Sequence, residues 1–174
     1  MKRVLNAAIF SALATMVAVA SASARIGETL DQCRDRYGDV VEIYSGSRPD
    51  FEQYKFEKAN TYIGIRLTGG NSGLAGQIIY GGKLTNQLVA EILTANCGDV
   101  EWNVIEGDVS RLKEPAVSEM TYDEYVREEP LQVTMGSADG RFFVTYWRQS
   151  RFGEVVLTIE TREFRAAFEK GFAP

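Results

Sequence analysis

The chain of 174 residues contains no histidine. Without an imidazole, neither a Ser-His-Asp nor a Cys-His arrangement for nucleophilic catalysis can be built, and the commonest zinc and copper ligand is missing. The chemistries that remain are a carboxylate pair, a Ser-Lys pair, calcium binding through oxygen atoms, or no catalysis at all. We therefore predict no catalytic residue, no metal site and no cofactor.

Cysteine is also scarce, since Cys33 and Cys97 are the only two in the chain. The sequence has no C-x-x-C spacing, which excludes the usual thiol redox motif. In an exported protein a lone pair of cysteines predicts a disulfide bond, which here would close a loop of about 65 residues and contribute about 4 kcal/mol of stability. The alternative is two buried thiols that never meet.

Long apolar runs are absent except at the start of the chain, where the pattern is that of an export signal. Lys2 and Arg3 precede an uncharged run over 4–20, and Ala-Ser-Ala at 22–24 fits the small residues that a signal peptidase reads. The run is shorter than a membrane-spanning helix requires. We predict a cleavable signal peptide over 1–24 and a single exported α+β domain over 25–174, periplasmic or secreted. An uncleaved leader is the alternative.

Basic residues are fewer than acidic residues. Removing the leader takes away Lys2 and Arg3 and no acid, which leaves 17 basic and 24 acidic residues, a net charge of −7. A negative balance disfavours nucleic acid and anionic membrane surfaces as partners. We predict no nucleic-acid partner, no membrane insertion after cleavage, and compatibility with a basic protein partner.

The remaining sequence predicts an α+β fold. Capping signals place helix starts after Thr29, Thr85 and Thr121, and a short helix is predicted over 162–170. Apolar residues alternate with polar ones in about seven consecutive strand-like segments, which is typical of an antiparallel sheet. Because helix, strands and helix follow each other over 29–98 and again over 121–171, the pattern also suggests a pseudo-repeat of a helix-meander module.

Five short segments carry a resemblance to a known module. They are Ile26-Gly27-Glu28-Thr29, Tyr37-Gly38, Tyr54-Lys55-Phe56, Ile63-Gly64-Ile65 and Gly76-Gln77-Ile78-Ile79-Tyr80. This sequence pattern resembles the small exported helix-plus-meander module shared by the minor lipoprotein of the outer-membrane barrel assembly machine and the β-lactamase inhibitor proteins. The resemblance covers 26–80, and it implies a non-enzymatic protein that acts by protein–protein contact. The lipid-attachment cysteine of the assembly lipoprotein is absent here.

Aromatic residues on the strand over 141–148 indicate a candidate binding surface. Phe143 and Trp147 share one face of that strand, and Arg148 and Arg151 lie nearby in sequence, a combination enriched at protein interfaces. Cover by a helix is the alternative explanation for a strand that is apolar on both faces. We predict a protein-binding module of the cell envelope with an unidentified partner protein; the alternatives are a carboxylate-based hydrolase of envelope polysaccharide and a small-ligand carrier.

Overall fold

The computed structural model describes residues 25–45, 52–68, 73–109, 131–149 and 154–170. The described helices are α1 (Leu30–Tyr37), α2 (Asn86–Cys97) and α3 (Arg162–Lys170). The described strands are β1 (Glu42–Tyr44), β2 (Gln53–Lys58), β3 (Thr61–Thr68), β4 (Leu74–Gly82), β5 (Trp102–Glu106), β6 (Leu131–Ser137), β7 (Phe142–Gln149) and β8 (Glu154–Thr161). Within these ranges, every helix is too short or too polar to cross a membrane.

All eight strands belong to one antiparallel sheet in the order β1-β2-β3-β4-β8-β7-β6-β5. The α+β class with an antiparallel sheet is therefore confirmed, with eight strands where about seven were predicted. Two four-stranded meanders meet along a seam between β4 and β8. Each meander follows a helix in the chain, the first after α1 and the second after α2. The helix predicted to follow Thr121 lies outside the described residues.

Local capping chemistry sets the bounds of α1, as the sequence predicted. The backbone N–H of Gln32 donates to the Thr29 hydroxyl at 3.3 Å, and the backbone N–H of Thr29 donates to the Gln32 side chain at 2.9 Å. The helix ends at Gly38, whose φ of 90° is readily adopted only by glycine. The buried residues of this helix are Leu30, Cys33 and Tyr37.

Helix α2 is held to the sheet by a polar anchor. The Asn96 side-chain amide donates to the Tyr80 hydroxyl at 3.2 Å, and its oxygen accepts from the backbone N–H of Ile26 at 3.1 Å. One asparagine thus connects the segment before α1, the second helix and the central strand β4. Ile92 and Cys97 are the buried positions of α2.

The sheet has a packed face, on which α1 and α2 lie. Tyr37 of α1 packs against Phe56 of β2, with ring centroids 5.7 Å apart. The main strand residues of the packed face are Tyr54, Phe56, Ile63, Ile65, Ile78, Tyr80, Val133, Val144, Tyr146, Leu157 and Ile159, all of which are buried. Their alternation with less buried neighbours is the period-two pattern of a sheet with different faces.

The predicted disulfide bond is absent: Cys33 and Cys97 are buried free thiols. Each cysteine lies under its own half of the sheet. The charged groups that act on the Cys33 thiol are Glu28 and Arg36, whereas those that act on Cys97 are Arg141 and Asp139 in the second meander. An oxidising compartment favours a disulfide bond but does not bring two cysteines together, and the bond requires Cα atoms within about 7 Å.

Both thiols are expected to be inert in the folded protein. Burial raises the pKa of each to about 12, so that at pH 8 only about one thiol in ten thousand is the reactive thiolate. A colorimetric thiol titration should detect almost none in native protein and two per chain after unfolding without reductant. Finding no thiol in the unfolded, unreduced protein would instead restore the disulfide.

Candidate functional site

The second face of the sheet, called the open face here, is covered at one end by α3. The guanidinium of Arg165 in α3 lies 4.5 Å from the ring centroid of Phe143, which points away from the packed face. Phe164 of α3 is buried and stacks with Phe168, at a centroid separation of 6.1 Å. Of the described helices, α3 is the one that lies on this face, and the opposite end of the face is half-buried.

A row of residues in register crosses that half-buried end. From β2 to β6 it consists of Glu57, Tyr62, Gly81, Val156, Trp147 and Gln132. We call it the aromatic row. Its two aromatic residues lie three strands apart, so their Cα atoms are separated by about 14 Å. Between them lie Gly81 of β4 and Val156 of β8, which form a shallow apolar floor at the junction of the two meanders.

Tyr62 lies flat along the sheet because its neighbour in the row has no side chain. A methyl group added to Gly81 would overlap the carbon atoms Cε1, Cζ and Cδ1 of the Tyr62 ring. The ring therefore occupies the space above Gly81, and Tyr62 is half-buried. Tyrosine placed in this way offers a large contact area at a small cost in conformational entropy.

The tyrosine end of the row is predominantly acidic. Burial raises the pKa of Tyr62, the negative charge of Glu154 raises it further, and Lys55 opposes the change. Lys55 is itself bound by two carboxylates, with its Nζ 3.3 Å from Glu57 and 3.7 Å from Glu42. Two carboxylates thus bind the Lys55 ammonium group, and a third, that of Glu154, acts on Tyr62. A basic partner group would be attracted to this end.

A polar chain joins the two meanders where the open face approaches α3. The Arg66 guanidinium donates to the Gln77 side-chain oxygen at 2.9 Å, and the Gln77 amide donates to Glu160 at 2.5 Å. Burial lowers the pKa of Arg66, while Glu160 opposes that change. These side chains connect β3, β4 and β8, and the charges of Arg66 and Glu160 act on each other. We therefore assign them a structural role.

The four residues of the predicted binding surface have different positions. Trp147 is half-buried on the open face, and Phe143 lies on the same face beneath Arg165. Arg148 is only 8% exposed and faces the packed side, because consecutive strand residues point to opposite faces. Arg151 lies outside the described residues. Helix cover and surface exposure therefore both occur on this strand, at different ends.

Sequence reasoning missed Tyr62 as a partner of Trp147. The alternation of β3 already placed Tyr62 on the wetter face, opposite Ile63 and Ile65. What the sequence lacked was the β4–β8 seam, which puts the two aromatic residues on one surface.

In the part of the chain that the structure describes, no group of three or more His, Cys, Asp or Glu side chains is placed to hold a metal ion. Comparisons with protein-family models, with characterised proteins and with solved structures gave no match to this chain.

Proposed function

We propose that this chain is a non-enzymatic, exported protein of the cell envelope that binds a basic partner protein through the aromatic row. The observation that carries the proposal is the placement of Tyr62 and Trp147 on one half-buried surface, with Gly81 and Val156 between them. Aromatic residues that rim a shallow apolar floor are a common form of interface hot spot.

Three further observations support it. The sequence of the first 24 residues has the pattern of an export signal. The absence of histidine excludes the commonest catalytic arrangements. The segments over 26–80 resemble an exported module whose members act by protein–protein contact.

The choice of a basic partner rests on the charges near Tyr62. Glu57 and Glu154 lie on the open face, and Lys55 is already paired with Glu57. We therefore expect a lysine or arginine of the partner to lie beside Tyr62 and to reach one of these carboxylates at the same time. Such contacts make association faster and dependent on ionic strength.

The test is capture of a partner from envelope extract on the mature protein, followed by calorimetric titration with the purified partner. We expect Tyr62→Ala and Trp147→Ala each to weaken binding at least about 30-fold, which is the effect of removing a hot-spot residue. Glu154→Gln should weaken binding less and reduce its dependence on salt.

Leu74→Ala is the matched control. Leu74 is an exposed apolar residue at the start of β4, at the opposite end of that strand from Gly81. Its replacement should leave the affinity unchanged. Thermal melting of all variants separates a lost contact from a lost fold. If Tyr62→Ala and Trp147→Ala bind as tightly as the control, the aromatic row is not the interface, and cleavage of envelope glycan by the protein would refute the non-enzymatic assignment.

A further inference from the structure

A groove of about 630 Å³ lies on the packed side of the sheet, away from the aromatic row. It runs between α1 and the first two strands. Its apolar lining comes from Leu30, Ile43 and Tyr54, and its charged lining from Asp31, Arg34 and Glu52. Because α1 covers β2 but does not extend over β1, the side chain of Ile43 is 52% exposed at this corner of the fold.

The groove is bordered by an edge of the sheet. Strand β1 has a described partner on one side only, β2, and all three of its residues are exposed. An edge strand presents unpaired backbone N–H and C=O groups on its outer side. Val41 and Ile43 are exposed next to those groups. Backbone pairing and an apolar side-chain site are thus adjacent, which is the combination used in recognition by strand addition.

The charged residues at the rim of the groove favour a positively charged ligand. Arg34 is 3.1 Å from Asp31, so these two charges compensate each other. Glu52 instead accepts a hydrogen bond, at 2.7 Å, from the Tyr54 hydroxyl. Burial and that hydrogen bond raise the pKa of Tyr54 to about 12, so the tyrosine stays neutral and leaves the charge of Glu52 uncompensated by this partner. The described charges at the rim, those of Asp31, Arg34 and Glu52, therefore leave one negative charge in excess.

We infer that the groove binds an extended peptide that adds a strand to the free edge of β1, places an apolar side chain against Leu30 and Ile43, and pairs a lysine or arginine with Glu52. This site uses the opposite face and the opposite side of the molecule from Trp147. It is independent of the proposed function, and each of the two can fail without the other.

The probes are two synthetic peptides in which every second residue is threonine, added to the mature protein. The positions between the threonines are valine and lysine in turn in the basic peptide, and valine and glutamate in turn in the acidic one, so that the apolar and charged side chains lie on the same face of the added strand. We expect the basic peptide to shift the backbone NMR signals of 41–44 and 30–34, and to bind about tenfold more tightly than the acidic one. Glu52→Gln should remove that preference. Shifts confined to the aromatic row, or equal binding of both peptides, would overturn the inference.

Matched edge variants test the location. Ile43→Lys should weaken binding of the basic peptide about tenfold, because it places a charge at the apolar site and opposes the lysines of the ligand. Val104→Lys makes the same change on the other edge strand, at a residue that is 48% exposed, and should have no effect. Equal losses in both variants would refute the site. If the precursor that retains 1–24 already shows the peptide-bound signals, the leader itself occupies the groove and the separate partner is wrong.

Discussion

Phe56→Ala is expected to lower the free energy of unfolding by about 3–5 kcal/mol. Phe56 is fully buried on the packed face, where its ring meets Tyr37 of α1 and lies opposite Ile63 of β3. Truncation removes the transfer free energy of the ring and leaves a cavity between a helix and two strands that cannot collapse independently. Equilibrium unfolding in urea, fitted with a common m-value, measures the loss.

Leu74→Ala is the control for this variant. Leu74 is an apolar residue in the same meander, but it is exposed. Its truncation should change the free energy of unfolding by no more than about 0.5 kcal/mol. A loss below about 1.5 kcal/mol for Phe56→Ala would mean that α1 does not pack on β2 as described.

Gly107→Ala is expected to destabilise the fold by about 3 kcal/mol or more, through two effects at one position. Gly107 follows β5 with a φ of 93°, a conformation that costs alanine about 1–2 kcal/mol. In addition, a methyl group at this position would overlap the backbone carbonyl oxygen of Gln132 and lie 2.9 Å from the Cα atom of Val133. Because the obstructing atoms belong to the backbone of β6, they cannot rotate away.

Gly98→Ala separates the two effects. Gly98 ends α2 with a φ of 71°, but a methyl group there would meet no atom within 4 Å. Only the backbone conformation is penalised, and we expect a loss of about 1 kcal/mol. Thermal and urea unfolding of both variants give the comparison. Equal losses would show that the strands relax and that the overlap at Gly107 costs nothing.

The features that the sequence predicted well are those that local interactions determine. Helix α1 begins and ends where Thr29, Gln32 and Gly38 place it, since capping acts over three or four residues. Helix α2 likewise begins after Thr85, whose hydroxyl accepts a hydrogen bond from the Leu88 backbone at 3.2 Å. The faces of β3 and β7 followed directly from alternation.

The features that could not be predicted depend on which strands become neighbours. The hydrogen bond between Gln77 and Glu160 connects residues 83 positions apart, and no short-range sequence pattern predicts it. Tyr62 and Trp147 lie on one row only because β4 pairs with β8. Arg148 is a different case: the alternation that separates Phe143 from its neighbours also places Arg148 on the packed face, so its burial follows from the sequence pattern.

The central position of β8 affects the order in which the sheet is assembled during synthesis. The strand that covers the free edge of β4 is β8, which is made only after α2, β5, β6 and β7. Until then the first meander has an unpaired inner edge, and Tyr62 and Gly81 have no Val156 or Trp147 beside them. A chain that stops before β8 therefore cannot bring Tyr62 and Trp147 together on one row, and the proposed partner, if it binds both residues, would distinguish chains with a complete sheet from chains without one.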